Sequence, residues 1–321
     1  MKNRLFSFNR LFSLFALFCL IAGIRPGGSP RAAHALEPLS FTDALGHTVT
    51  LQSHDRVAAL YGSFAETWLL AGGTLIGVTS DALEERALSL PEDVAIVGSV
   101  KEPHLEEIIA ADPDFLILSA DIAAQVKLHG ALKNAGIPHA YYRADTFEEY
   151  LGMLRQFTQM TRRDDLYARY GEDVRAQIER VRQAVRGQEP PTALLLRAFS
   201  TGVKAKGEDN LAGVILRELG AVNIAAQGNG LLEEISLEEI IAADPDFIFI
   251  TVMGARVDDA LTYMQTHFES NPAWASLSAV RSGRCVVLPK ELFHYKPNAR
   301  WGESYAYLAK ILYPGCCDEI D

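Results

Sequence analysis

The chain has 321 residues, of which 49% are hydrophobic and 22% charged, a composition typical of a globular protein. Its formal net charge at pH 7 is −11. Because a surface of this sign repels nucleic acids and anionic membranes, we exclude functions that depend on binding either of them.

The N-terminal segment is predicted to be a cleavable secretory signal. Lys2, Arg4 and Arg10 precede an apolar run over residues 11–24, and a small-residue cleavage site ends at Ala35. The apolar run is shorter than the roughly 20 residues that span a bilayer, and no later stretch approaches that length. We therefore predict cleavage after Ala35 and a mature chain without a transmembrane segment.

The mature chain is predicted to be a soluble, monomeric periplasmic protein. Residues 1–35 contain five of the 30 basic residues and none of the 41 acidic ones, so their removal lowers the net charge to −16. A lipid anchor at Cys19 is disfavoured, because the bulky Phe18 stands where a lipid-attachment motif has a small residue. The remaining length suggests two domains.

The first half of the mature chain has the pattern of an α/β lobe. An apolar strand is predicted at 57–61, a helix at 66–71, a second apolar segment at 73–79 and a buried strand at 115–118. The strands lack polar alternation, as expected for parallel strands that are covered on both faces.

Helical spacing of apolar residues follows, first over 147–157 and then over 166–185, with a polar interruption at 161–165. We predict that the second of these helices joins two lobes. The predicted organisation is a signal peptide at 1–35, an N-terminal α/β lobe at 36–162, a connecting helix at 163–187 and a C-terminal α/β lobe at 188–321.

The second half repeats the first. Strands are predicted at 193–197 and 247–250, a helix at 211–219, an apolar segment at 220–225 and a turn at 228–230. Residues 104–118 recur at 236–250 with 11 of 15 positions identical. A repeat separated by 132 residues indicates two domain-sized halves of related design. The predicted fold class is α/β, with two independently packed Rossmann-like lobes, mainly parallel sheets and one long interlobe helix.

Several segments in this order resemble the periplasmic siderophore- and cobalamin-binding proteins of ABC importers. They are the Asp43–Leu51 segment, Leu-Glu-Glu-Ile-Ile before Asp-Pro-Asp in both repeats, and Asn271-Pro-Ala-Trp274 before Arg281–Leu288. The resemblance covers roughly residues 41–313. It implies a solute-binding protein, not an enzyme, that captures a metal chelate between its lobes and delivers it to a permease dimer with its ATPase. The expected ligand is a ferric siderophore, followed by cobalamin and haem.

The ligand is expected at loops beyond the carboxyl ends of parallel strands. In this sequence the loops begin at Tyr61, Thr79, Ser119, Arg197, Thr251 and Pro289. A guanidinium pairs bidentately with anionic oxygens, and aromatic rings stack on planar chelates. The predicted ligand-binding residues are Tyr61, Arg197, Lys204, His294, Tyr295, Arg300 and Trp301, with Lys101 and Lys206 as additional cations near them.

No cofactor, catalytic residue or protein-held metal ion is predicted. The mature histidines are scattered in sequence and form no His-x-x-x-His pattern. A haem iron held by Tyr61 and His294 stays open as an alternative. A second alternative is a secreted metal or tetrapyrrole carrier, or a chelatase-like enzyme, of similar two-lobed fold. Cys285 is expected to be buried, while the adjacent Cys316 and Cys317 form a loose pair. A disulfide between Cys285 and this tail stays open as an alternative.

The repeat also supplies a matched pair of acids. Ser236 and Glu239 have capping-box spacing, so Glu239, and Glu107 by analogy, is expected to fold back onto its own helix start. Glu106 and Glu238 are then free. They either stabilise the helix dipole or, as the family resemblance implies, form salt bridges with two permease subunits.

Overall fold

The computed structural model describes residues 39–227, 236–254 and 257–316. The predicted signal peptide, the turn at 228–230 and Cys317 lie outside the described residues. The described strands are β1 Leu39–Thr42, β2 Thr48–Leu51, β3 Val57–Ala59, β4 Gly77–Val78, β5 Ala95–Ile96, β6 Phe115–Ser119, β7 His139–Tyr142, β8 Thr192–Phe199, β9 Gly202–Ala205, β10 Val222–Asn223, β11 Phe247–Val252 and β12 Cys285–Val287. The described α-helices are α1 Gly62–Leu70, α2 Asp81–Glu84, α3 Leu105–Ala111, α4 Ala123–Val126, α5 His129–Asn134, α6 Phe147–Thr161, α7 Asp164–Tyr167, α8 Asp173–Ala184, α9 Leu211–Glu218, α10 Leu237–Ala243, α11 Val257–Met264, α12 Pro272–Ala275, α13 Ser278–Arg281, α14 Lys290–Phe293 and α15 Trp301–Leu312.

The first lobe is built on a parallel sheet. Its described strands lie in the order β5-β4-β3-β6-β7, and each neighbouring pair is parallel. Every residue of β6 is buried, which explains why this strand is continuously apolar. The helix predicted at 66–71 begins earlier, at Gly62, directly after Tyr61. Tyr61 therefore lies at the carboxyl edge of the sheet, as predicted.

The second lobe repeats this arrangement with one addition. Strands β10-β8-β11-β12 are parallel, and β9 pairs antiparallel with β8. The hairpin of β8 and β9 was not predicted, and it corrects the position of Arg197. This residue lies inside β8, opposite Lys204 of β9, and does not end the strand.

The predicted interlobe helix is present as a continuous helical segment over 164–184. It consists of α7, a π-helical turn at Ala168–Glu172 and α8. The hydroxyl of Tyr150 in α6 donates a hydrogen bond to the carbonyl of Tyr170 within this turn, at 3.0 Å. The predicted interruption before the helix corresponds to Arg162, whose φ of 57° ends α6. The two-lobed α/β fold class is thus confirmed.

The repeated Asp-Pro-Asp motif has the same structural role in both lobes. The carboxylate of Asp114 accepts hydrogen bonds from the backbone N–H groups of Asp55 and Arg56, both at 3.0 Å. The carboxylate of Asp246 accepts from the backbone and hydroxyl of Thr192, at 2.9 and 2.8 Å. In each repeat, the second aspartate therefore fixes the start of the first parallel strand of its lobe.

We expect Asp114→Ala to lower the free energy of unfolding by about 1–3 kcal/mol, because it leaves strand-start donors without their acceptor. Asp246→Ala should have a similar effect in the other lobe. Urea unfolding measures both. The exposed Asp93 is the control, since Asp93→Ala removes a carboxylate of the first lobe that makes none of these contacts. Equal stability of all three variants would contradict the proposed role of the motif.

The two lobes share part of their hydrophobic core, so the prediction of independent packing was wrong. Each lobe has an outer cluster, exemplified by Leu116 in the first and Ile248 in the second. A third cluster extends from the inner face of the first lobe's sheet, through the central helices, to the inner face of the second lobe's sheet. It contains Phe115, Ile178 and Phe249. The sequence pattern indicates which residues are buried. It does not indicate that buried residues of both lobes pack against the same helices.

Cys285 and Cys316 are both free thiols and both partly exposed, so the prediction of a buried Cys285 is corrected. Burial of the Cys285 sulfur nevertheless raises its pKa to about 11. This thiol is therefore protonated and poorly nucleophilic near neutral pH.

Within the described ranges, no helix combines the length and apolar character needed to cross a membrane.

Candidate functional site

Charged groups from both lobes meet where the carboxyl ends of the two parallel sheets approach each other. The first lobe contributes residues from the loops after β3, β5 and β7. The second contributes β8 and the segment that follows β12. We call this set the interlobe site, and it comprises Tyr61, Lys101, Asp145, Arg197, Lys290, His294 and Lys296.

His294 is a neutral imidazole within a cluster of cations. Its partial burial and the positive charges of Lys290, Arg197, Lys296 and Lys101 lower its pKa from 6.5 to about 4. Lys101 belongs to the first lobe and Arg197 to the second, so His294 faces both. Because the His294 ring is neutral near pH 7, the positive charge of the site comes from the lysines and Arg197.

The depressed pKa of His294 predicts a pH dependence of stability. The unfolded chain binds a proton at this histidine below pH 6.5, whereas the folded chain does so only near pH 4. The stability contribution is therefore fully present above pH 6.5 and is lost as the pH falls from 6.5 towards 4. We expect His294→Gln to reduce the loss of unfolding free energy between pH 7 and 4.5 by about 2 kcal/mol. Urea unfolding at both pH values measures this, and parallel curves for the two proteins would contradict it.

Arg197 lacks a protein partner for at least part of its guanidinium. Its Nε is buried with no hydrogen-bond partner, and the ion pairs found among the described residues do not include it. The acids whose charges act on Arg197 are Asp209 and Asp145. Lys204 lies directly opposite Arg197 in the antiparallel β8–β9 pair, so both side chains leave the same face of the sheet. This face therefore presents two cations, of which Lys204 is exposed.

Two tyrosines border the cations. Tyr61 packs edge-on against Phe64 with ring centroids 5.1 Å apart, and burial raises the pKa of its phenol. The phenol is therefore protonated at neutral pH. Tyr295 lies beside His294, with ring centroids 5.3 Å apart, and Lys290 Nζ lies 5.0 Å from the Tyr295 ring centre. The structure thus places Arg197 and Tyr295 near His294, and Tyr61 near Lys296. That these residues bind a ligand stays a prediction.

Polar contacts join the lobes beside this site. Lys296 forms an ion pair with Asp145 across the interface. Asn298, which is fully buried and has a φ of 53°, donates from Nδ2 to the Ser63 carbonyl at 2.8 Å and to Glu66 Oε2 at 2.7 Å. The short segment after α14 therefore attaches the second lobe directly to α1 of the first.

Among the predicted ligand residues, Trp301 is excluded by its burial, and Arg300 already has a protein partner. Trp301 has no exposed surface, and its ring packs against Phe147, so it is a core residue that cannot stack on a ligand. Arg300 is exposed, and its guanidinium donates to both carboxylate oxygens of Glu303 at 2.7–3.0 Å. Both residues begin α15, where one side of the helix faces the core and the other faces solvent.

Glu106 and Glu238 occupy matching positions in the first turns of α3 and α10, and both are exposed. Ser236 Oγ accepts a hydrogen bond from the Glu239 backbone N–H at 3.3 Å, which is the N-cap half of a capping box. Among the described residues, the predicted return of the Glu239 side chain to its helix start is not found. At the equivalent N-cap, the backbone N–H of His104 donates to the Val97 carbonyl at 2.9 Å, so it is not left for Glu107 and the analogy was wrong.

Sequence reasoning missed Lys290, Lys296 and Asp145. Each lies in a segment that follows the carboxyl end of a parallel strand, β12 or β7. Site residues were expected just beyond the carboxyl ends of parallel strands. Lys290 and Asp145 lie within three residues of such strand ends, so this expectation could have identified them. Lys296 lies farther away, and the contact with Asp145 joins residues that are 151 positions apart.

Residues 57–292 match the family model described as "Periplasmic binding protein". The chain belongs to this family. The Fe(3+)-citrate-binding protein YfmC of Bacillus subtilis is 24% identical over 250 residues, which are 75% of either chain. A vitamin B12-binding protein of Pectobacterium carotovorum is 25% identical over 58% of this chain and 69% of its own length. The fold also matches the periplasmic heme-binding protein RhuT from Roseiflexus, with a TM-score of 0.66, 20% identity and coverage of 82% of this chain and all of that one.

Proposed function

We propose that this family member captures an anionic iron chelate in the interlobe site and delivers it to an ABC importer. Ferric siderophores are the preferred ligand class, followed by cobalamin and haem. The observation that carries the proposal is the concentration of positive charge around His294. Lys290, Arg197, Lys296 and Lys101 all act on His294, in a protein whose net charge is −11. Lys204, opposite Arg197 in the β8–β9 pair, adds a further cation to that face of the sheet.

The arrangement suits a ligand that carries several anionic oxygens. Fe³⁺ is usually chelated by carboxylate, catecholate or hydroxamate oxygens, which accept hydrogen bonds from guanidinium and ammonium groups. Arg197 has a buried Nε without a partner, and such a donor gains a hydrogen bond when an anion binds. The iron–citrate-binding relative supports the same ligand chemistry.

Ligand titration tests the proposal and separates it from the enzyme alternative. Untagged protein is mixed with ferric citrate, a ferric catecholate, cyanocobalamin or hemin, and binding is followed by calorimetry and absorbance. We expect stoichiometric binding of a ferric chelate, with weaker or no binding of the metal-free chelator. Binding of neither iron chelate nor tetrapyrrole would contradict the proposal. Turnover of free metal and porphyrin into metalloporphyrin would instead favour a chelatase.

The proposed partner is a permease dimer with its ATPase, which the protein would meet in the periplasm after removal of residues 1–35. Glu106 and Glu238 are the proposed docking residues. Their exposure at equivalent places in two related lobes gives the surface a pair of similar negative charges. Such a pair suits a partner with twofold symmetry.

A further inference from the structure

The interlobe site includes one acid, Asp145, beside its cations. Asp145 lies in the segment between β7 and α6, and its carboxylate forms an ion pair with the ammonium of Lys296 from the other lobe. Only 13% of the Lys296 side chain is exposed, against 37% for Asp145. The positive end of this ion pair is therefore largely withdrawn from solvent, where charges interact more strongly than they do in water.

The carboxylate of Asp145 is not needed to begin the helix that follows it. The Thr146 hydroxyl accepts a hydrogen bond from the Glu149 backbone N–H at 3.2 Å. Glu149 Oε2 accepts in return from the backbone N–H groups of Asp145 and Thr146, at 2.8 and 3.1 Å. Because this capping box already satisfies the start of α6, replacement of Asp145 by asparagine leaves these contacts in place.

Among the described residues, Asp145 is the only acid that forms an ion pair with a cation of the interlobe site. Three other acids act on these cations, namely Asp121, Asp209 and Glu85. Asp121 pairs instead with Arg143 at 2.9 Å, and Asp209 pairs with Lys206 at 3.4 Å. Glu85 is exposed to solvent, which screens its charge. Asp145 is therefore the acid that compensates positive charge within the site.

This compensation reaches two of the cations that the ligand is expected to meet. Asp145 pairs with Lys296, and its charge also acts on Arg197, whose buried Nε has no partner. Lys296 in turn acts on His294 and Tyr61. An anion that enters between the lobes therefore meets cations whose charge is partly neutralised, and the Asp145 carboxylate itself repels it.

We propose that Asp145 is a specificity-determining residue that limits the negative charge of the chelate in the interlobe site. The inference rests on the proposed function, because it concerns the ligand of that same site. Specificity requires an element that disfavours the wrong ligand, and a carboxylate among cations disfavours ligands of high negative charge. The ligand class is therefore a ferric chelate with few negative charges, such as a mixed carboxylate and hydroxamate complex, in preference to a ferric tris-catecholate.

Calorimetric titration of untagged protein with a ferric tris-catecholate and a ferric tris-hydroxamate tests this inference. The first chelate is an anion, whereas the second is uncharged. We expect Asp145→Asn to tighten binding of the anionic chelate about tenfold, because a nearby negative charge is removed, and to change that of the uncharged one by less than about twofold. Damage to the fold cannot produce such a gain in affinity.

Further variants show whether the gain acts through the ion pair. Lys296→Gln leaves Asp145 without its partner, so binding of the anionic chelate should weaken about tenfold. The double variant Asp145→Asn with Lys296→Gln removes both charges and should bind with nearly the wild-type affinity. The control is Asp93, which is exposed and precedes the amino end of β5. Asp93→Asn makes the same change in net charge as Asp145→Asn and should leave the affinity within about twofold of wild type.

An Asp145→Asn variant that binds the anionic chelate no more tightly than wild type would overturn the inference. So would an equal gain for both chelates. Either result leaves the proposed function standing, because the wild type still binds an iron chelate. Binding of neither chelate, by wild type and variant alike, would contradict the proposed function and this inference with it.

Discussion

Reversing the charge of Glu106 and Glu238 together should abolish uptake through the cognate permease. Both carboxylates are exposed at the first turns of α3 and α10, so their replacement by arginine removes no buried contact. Like charges at a docking interface cost several kcal/mol when they replace opposite ones. Uptake of a radiolabelled ferric chelate by cells, or ligand-stimulated ATPase activity in proteoliposomes, measures the effect.

The same helices provide the control for this experiment. Glu107 and Glu239 are exposed one residue further along, and the double variant Glu107→Arg with Glu239→Arg makes the same change in net charge. We expect this control to transport, and both double variants to keep the chelate affinity and nearly the melting temperature of wild type. Normal uptake by the Glu106→Arg and Glu238→Arg variant would show that these acids serve only their helix starts. Equal loss in both pairs would indicate a general charge effect.

Arg197→Ala should weaken binding of the anionic chelate by about 1.5–3 kcal/mol, the range for losing a hydrogen bond to a charged group. This corresponds to an increase in Kd of about 10- to 150-fold. Arg197→Lys should recover part of the affinity, because lysine keeps the charge but cannot pair bidentately. Fluorescence or calorimetric titration with a ferric chelate gives the values.

The matched control for Arg197 is Arg186, an exposed arginine at the end of the connecting helix. Arg186→Ala removes the same charge just before the amino end of β8, at the opposite end of that strand from Arg197 and the carboxyl-end loops, so the affinity should stay near that of wild type. Unchanged affinity in Arg197→Ala would remove this residue from the site. A similar loss in both variants would indicate a long-range effect of net charge.

The sequence predicted the features that depend on local pattern. Three features can be detected in the sequence itself: the two repeats, the continuously apolar strands β6 and β11, and the break at Arg162. Burial on both faces of a strand and the end of a helix each restrict which residue types occur there, so both leave a local sequence pattern. Tyr61 was placed correctly for the same reason, since it follows an apolar strand and precedes a helix.

Features that depend on distant pairing were not predicted. The hairpin partner of β8 is a short strand with two exposed or half-exposed positions, so its apolar signal is weak. Trp301 looked like a ligand residue because it stands in a segment rich in aromatic and basic residues, but only the packing of α15 shows that it faces the core. The contact between His129 Nδ1 and His139 Nε2, which lie 3.0 Å apart, likewise joins two separate elements and leaves no motif in the sequence.

The shared hydrophobic cluster has a consequence for how the protein loses its structure. Phe115 and Phe249 belong to different lobes and different copies of the repeat, yet both bury their rings in the same cluster as Ile178 of the connecting helix. Melting one lobe would expose the apolar surface that the other lobe and the central helices bury against it. The two halves should therefore denature in one cooperative transition, with a calorimetric enthalpy equal to the van't Hoff enthalpy, although the chain reads as a tandem duplication.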